Sequence, residues 1–213
     1  VAALLDDPRF GVHLANYRRD VILARQNAVG EGPTVFAEVL EKFLTQEFIG
    51  NVPWDQIVRK FIEANGPIND RGETAVYIAQ GVDTADVAGE MSRLFLGIQI
   101  QCAQCHDHPT DRWKRQQFHE FAAFFPRAGV KRIESMPAGR GAAAIAPYDD
   151  GPMERTQRTR YVGLREHVMT DLKKPDEPGR IVTPAFFLNG KRLDVEATDA
   201  QRRESVARWM TSP

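Results

Sequence analysis

Apolar positions in the first hundred residues recur mostly at helical spacing. Leu4, Leu5, Phe10, Leu14, Tyr17, Ile22 and Leu23 form one such series, interrupted by Asp7-Pro8 and Gly11. Gly30-Glu31-Gly32-Pro33 marks a turn, after which Thr34 caps a helix with Val35, Val39, Phe43 and Leu44 on its buried side. Gly50 ends that helix. Pro53-Trp54-Asp55 opens another carrying Ile57, Val58, Phe61 and Ile62, closed by Asn65-Gly66-Pro67. Around residues 75–79 the pattern fits helix and extended chain equally.

The most regular helix begins at Asp83 or Thr84. Val87, Met91, Leu94 and Ile98 recur at steps of four, three and four, with Phe95 widening the stripe. The same stepping runs on to Cys102, Cys105 or His106, which predicts that whatever these residues bind lies against the core. Another helix is expected over about 111–124, turning Trp113, Phe118, Phe121, Ala122 and Phe125 to one side. From 129 to 151 the chain is rich in Gly, Ala and Pro and reads as a mobile surface loop. Tyr161-Val162-Gly163-Leu164, Ile181-Val182 and Phe187-Leu188 read as short strands, with Asn189-Gly190 as a turn. Thr198-Asp199 caps a closing helix through Val206, Trp209 and Met210. The expected fold class is mainly α, a helical domain carrying a Cys-x-x-Cys-His motif with a small strand-containing C-terminal portion. The expected divisions are 1–127 helical, 128–160 loop, and 161–213 strands and closing helix.

Composition narrows the picture. The 213 residues are 42% hydrophobic and 27% charged, the balance of a globular chain. Lys+Arg number 28 against 29 Asp+Glu, a net charge of −1, so no global positive field holds a nucleic acid. No apolar stretch is long enough for a transmembrane segment. The chain opens at Val1 inside helical pattern and stops at Pro213 just past a helix, which reads as a piece of a longer protein.

Cysteine carries the chemistry. Both cysteines fall in one string, Cys102-Ala103-Gln104-Cys105-His106, where a disulfide framework would scatter several. Cys-x-x-Cys-His is the attachment pattern of a c-type haem. Two thiols about one turn apart each add to a vinyl group of one porphyrin, and the adjoining imidazole lies under the iron. The alternative is zinc, held by Cys102, Cys105, His106 or His108 and a distant His or Asp. A second ligand pair is lacking for it, since His13, His119 and His167 stand alone in the sequence.

The flanks extend the motif. Phe95-Leu96-Gly97-Ile98-Gln99-Ile100-Gln101 followed by Cys102-Ala103-Gln104-Cys105-His106-Asp107-His108-Pro109 resembles the signature of the planctomycete cytochrome C-like domain, a domain of unknown function. Leu4-Leu5-Asp6-Asp7-Pro8-Arg9-Phe10-Gly11 is similar to that family's opening. Trp113-Lys114, Phe118 and Ala122-Ala123-Phe124-Phe125 are similar to its segment after the cysteines. Pro184-Ala185-Phe186-Phe187-Leu188-Asn189-Gly190-Lys191 through Pro213 resembles the junction to a downstream domain. Residues 128–180 match least, and His13, Asn16 and Tyr17 stand where the family often has tryptophans. The resemblance implies a periplasmic or otherwise extracytoplasmic protein with covalent haem c, a downstream domain of the same parent chain and a redox partner protein. It supplies no reaction.

On the haem reading, Cys102 and Cys105 bind the cofactor and His106 is the proximal metal ligand. Met136-Pro137 resembles the pair that gives the distal sulfur in many small cytochromes, against the reading of Met136 as a loop methionine; His119 is a second candidate, and an open position a third. His108 lies too close to His106 to reach the other face and is expected to bond backbone or a propionate. Met91 and the aromatics are expected in the core. The opposing class is a non-redox structural or binding module in which the motif holds zinc or a disulfide. No nucleophile elbow, phosphate loop or dinucleotide fingerprint is present.

Overall fold

The computed structural model describes residues 5, 7–25, 34–133, 143–150, 154–155, 161–162 and 165–212. Among them the chain is mainly α: nearly half is helical, in seven α-helices, with a few short antiparallel strands. Contacts gather into two compact units, Val1–Val82 with Val130–Ala146, and Asp83–Gly129 with Pro147–Pro213.

In the first unit, α1 (Pro8–Leu23) starts where Asp7 accepts the Arg9 N–H at 2.9 Å and Pro8 takes the first turn, where its missing N–H costs nothing. α2 (Thr34–Ile49) buries Leu40 and Leu44, with Val39 and Phe43 half-covered at the flank of that stripe. The Val35 side chain and the turn at 30–33 lie outside the described residues. α3 (Trp54–Ile62) buries Ile57, Val58, Phe61 and Ile62 as its sequence pattern indicates. The ambiguous stretch is helix: α4 (Ala75–Ala79) is wholly buried, and the Tyr77 hydroxyl donates to the Ile62 carbonyl at 2.6 Å. Gly72 sits where a Cβ would come within 2.5 Å of both the Val39 carbonyl and Phe43 Cβ. Strand β1 (Gly66–Pro67) pairs antiparallel with β3 (Ala143–Pro147), Gly66 opposite Ile145.

That pairing corrects the expected loop. The stretch after Gly129 holds β2 (Ala128–Arg132) and β3, which with β1 make a sheet of order β1-β3-β2. Its partner strand is two residues long and lies some eighty positions upstream, a signal that no local pattern carries. The Gly/Ala-rich run at 138–142 lies outside the described residues.

In the second unit, α5 (Thr84–Leu96) is capped by Asp83, whose carboxylate accepts the Ala85 and Asp86 N–H groups at 2.9 and 3.1 Å. It buries Val87 and Met91, so Met91 is a core residue. α6 (Arg115–Ala122) is shorter than the expected 111–124. The N–H groups of Thr110 and Asp111 donate to His108 Nδ1 at 3.3 and 3.0 Å, and that of Arg112 to Asp111 Oδ1 at 2.7 Å, which holds residues 110–112 in turns. Strands β4 (Glu154–Arg155) and β5 (Tyr161–Val162) pair, as do β6 (Val168–Met169) and β7 (Arg180–Ile181). A bridge joins Ala185 to Arg192 around a turn in which Gly190 has φ +69°. α7 (Asp199–Met210) opens on the expected cap at Thr198, with Gln201 Oε1 accepting the Thr198 N–H at 2.9 Å.

The core here is aromatic. Phe121 meets Phe187 edge-on at 5.0 Å and Phe125 at 5.5 Å, Trp113 meets Phe187 at 5.1 Å, and Phe124 meets Trp209 at 5.7 Å. Beside it lies a buried ionic cluster. Arg202 grips Glu166 with two bonds of 2.9 and 3.0 Å, Arg127 bonds the same carboxylate, and Asp149 accepts from Arg127 at 3.1 Å.

Candidate functional site

The run into the cysteine motif is broken at Gly97, which adopts φ +69° and stops α5. Ser92 clamps the exit, its hydroxyl donating to the Ile98 carbonyl at 2.8 Å. The chain then restarts as a 3₁₀-helix over Ile100–Gln104 with Cys105 as its C-cap. A 3₁₀-helix has three residues per turn, so positions i and i+3 eclipse. Ile100 and Ala103 are fully buried on one side, while Cys102 and Cys105 share a second row a third of a turn away and are exposed as free thiols. Extending the 3.6-residue stepping of α5 through Gly97 predicts the motif against the core. The change of period at the break reverses that: the alanine and isoleucine go in and both sulfurs face out.

The backbone behind the thiols is held from several directions. Gln101 Nε2 donates to Asp86 Oδ1 at 3.0 Å, and its side chain packs on Gly89, where a Cβ would meet it at 3.1–3.3 Å. The Gln104 carbonyl accepts from Arg115 Nε at 3.2 Å and from His119 Nε2 at 3.0 Å. Arg115 also donates to the Thr170 carbonyl at 2.9 Å.

His106 is exposed. Its Nδ1 lies 2.6 Å from the Asp107 carbonyl, an oxygen that can only accept, so Nδ1 is the donor, and in the neutral ring the lone pair is on Nε2. Asp107 ties the motif to the next helix. Its carboxylate accepts the Arg115 N–H at 3.0 Å and Lys114 Nζ at 3.0 Å, and these two bonds, in that order, hold its pKa below the usual carboxylate value. His108 forms the backbone contact expected of it, and its own N–H donates to the Trp113 carbonyl at 2.8 Å.

Of the residues singled out in the sequence, Cys102, Cys105 and His106 are each exposed, and Met136 lies outside the described residues. His119 is buried with both ring nitrogens engaged, Nε2 at Gln104 and Nδ1 at His167 Nε2, 2.9 Å away. His119 and His167 therefore do not stand alone, although 48 positions separate them. Burial, with the nearby Arg115 cation, lowers the His119 pKa to about 4; burial and His119 lower that of His167 to about 3. Among the described residues no three His, Cys, Asp or Glu side chains gather in a metal-binding group.

A family model described as PSCyt2, a protein of unknown function (DUF1549), matches residues 1–129, three-fifths of the chain and all of the motif. The chain belongs to the PSCyt2 family. No curated protein and no solved structure matches it. The PSCyt2 match ends at residue 129, before the Glu166 and His167 segment that completes the ionic cluster and the histidine pair. Neither of those two features announces itself in the sequence. A single His or Glu in a polar stretch has no periodicity, and only the tertiary fold shows its partner. Among the described residues no helix is long and apolar enough to cross a membrane.

Proposed function

We propose that this PSCyt2 chain binds one haem covalently through Cys102 and Cys105, with His106 as an axial ligand, and serves electron transfer or redox sensing in a larger exported protein. The observation that carries this reading is the pair of exposed thiols on one side of a three-residue turn, followed in sequence by an imidazole whose Nε2 has no partner among the described residues. Each thiol adds across a vinyl group: a carbon–sulfur bond forms, the thiol hydrogen goes to the other vinyl carbon, and nothing leaves. Such additions need both sulfurs reduced and accessible, as they are. The donor set also fits: two soft sulfurs for the porphyrin edge, one neutral nitrogen for the metal. When bound, the group supplies a one-electron iron couple.

The protein's own part is to orient. The Asp107 carbonyl fixes the His106 tautomer, and the Gln104 carbonyl, held by Arg115 and His119, fixes the backbone between the sulfurs. The buried Trp113 indole N–H has no hydrogen-bond partner among the described residues, and the Trp113 carbonyl accepts the His108 backbone N–H. On this reading the distal position falls to Met136 or stays open, because both nitrogens of His119 are engaged. Zinc is the weaker alternative, since a closed site needs four donors and no further pair stands beside the cysteines among the described residues.

The test is a reduced pyridine haemochrome spectrum with intact mass, on protein exported from a host that carries the haem-attachment machinery. The expected result is a mass increase of one whole haem, lost in Cys102→Ser/Cys105→Ser. Colourless protein with both sulfurs unmodified overturns the proposal, and stoichiometric zinc in its place supports the structural alternative.

A further inference from the structure

A buried histidine, His119, and a half-buried one, His167, stand behind the motif, and with both rings neutral their geometry fixes the proton positions. The Gln104 carbonyl can only accept, so His119 Nε2 carries hydrogen. A neutral ring then has a bare Nδ1, which must accept from His167 Nε2, 2.9 Å away. The rings lie nearly parallel, 26° apart with centroids 5.1 Å from each other. The resulting chain runs one way, from His167 Nε2–H to His119 Nδ1, and from His119 Nε2–H to the carbonyl that sits between the two cysteines.

We propose that His119 and His167 are positioning residues for the cysteine motif, a neutral proton-ordered pair whose protonation places a cation against the Gln104 carbonyl and so changes the site in front of it. This deepens the haem reading and rests on it only where a haem property is measured.

The surroundings favour the neutral pair. The charged groups acting on His119 are Arg115 from its own helix and Arg180 from β7, both cations that oppose an imidazolium. Arg180 is itself bonded to Gln116, and Glu120 is turned towards Gln116 and Arg192. His167 feels burial and His119. One added proton can be shared across the pair by exchanging tautomers. A second leaves two N–H groups facing each other across 2.9 Å, so the pair must part, and it titrates as a unit.

Long-range proton–nitrogen NMR on the full chain without haem tests the arrangement directly. Both histidines should be neutral Nε2–H tautomers at pH 7; an Nδ1–H tautomer or an imidazolium at either position overturns the proposal. The amides of Gln104, Cys105 and His106 are then followed from pH 7 to pH 3. In the natural chain they should shift with an apparent midpoint near 4. His119→Gln keeps an N–H donor for the carbonyl but has no ring to titrate, so it should preserve the neutral-pH shifts and lose that midpoint. His119→Leu should lose both. A His119→Gln chain that titrates like the natural one refutes the pair's role, because general acid unfolding would then explain the transition.

With haem attached, the reduction potential should rise as pH falls through about 4 in the natural chain and stay level in His119→Gln. A potential level in both, with haem attached, refutes the coupling to the site. Correct tautomers and titration without any haem attachment would instead uphold the pair and sink the haem reading.

Discussion

Glu166 is the carboxylate on which the second unit's ionic cluster depends, and its removal should be among the most damaging single changes there. Arg202 and Arg127 are both buried, with 0% and 3% of their surface exposed, and both bond Glu166. Glu166→Ala removes three charge-assisted bonds, each worth about 1.5–3 kcal/mol. The sum overstates the loss, because the guanidiniums keep carbonyl partners: Ala123 and Ala197 at 3.1 and 3.0 Å for Arg202, and Val195 for both. What remains is two desolvated cations sharing Asp149 as their nearest counter-charge, and breaking a buried pair from one side costs about 3–5 kcal/mol. Urea unfolding followed by tryptophan fluorescence measures this, with Glu177→Ala as control. Glu177 pairs with Lys174 at 3.0 Å on an exposed surface, where the loss should stay below about 0.5 kcal/mol. If Glu166→Ala cost less than about 1 kcal/mol, or no more than the control, the cluster would be holding nothing together.

Two more outcomes are expected from packing and from the histidines. Phe121 touches four other aromatic rings, so Phe121→Ala should lower stability by about 3–5 kcal/mol in the same assay, whereas Phe121→Leu should recover much of it. The folded pKa values of His119 and His167, about 4 and about 3, lie below the 6.5 of the unfolded chain. The unfolded state therefore binds more protons between these values, and stability is full above pH 6.5 and falls as pH drops towards 3–4. Between pH 7 and 5.5 each histidine should cost about 1 kcal/mol, read by urea unfolding at both pH values; a double His119→Gln/His167→Gln chain that loses as much as the natural one would refute the assignment.

Local rules make the helix ends readable. Asp7-Pro8, Gly50, Pro53, Asp83 and the Thr198–Gln201 box each act within four residues, and the structure places boundaries at all of them. Three features are not readable, for different reasons. The motif's orientation depends on a change of helical period at Gly97, and an αL glycine announces a stop without fixing the period of the next turn. The β1–β3 pairing depends on a two-residue strand far away in the chain. The histidine pair His119 with His167 and the ion pair Arg202 with Glu166 are made of isolated polar residues whose meaning comes only from their partners. The cysteine string itself is legible because its pattern is local, and that is why the sequence singles out Cys102 and Cys105 yet misplaces the face they occupy.

The outward face of the motif leaves the folding of the core independent of anything bound at the cysteines. Where a haem fills the core, the chain without it lacks its central packing and does not fold well. Here the core closes without any such group: Phe118, Phe121, Phe124 and Phe186 are essentially inaccessible, and Ile100 and Ala103 complete their side of the 3₁₀-helix with hydrocarbon. The thiols contribute neither buried area nor a disulfide. Cys102→Ser/Cys105→Ser exchanges one exposed small polar group for another, and surface changes of this kind stay within about 0.5 kcal/mol. The double variant should therefore keep the near-ultraviolet dichroism of packed aromatics and unfold at the same urea concentration as the natural chain, both made without haem. Loss of that signal with helical content retained would mean that a bound group completes the core, and that the outward-facing thiols are not the resting arrangement of the site.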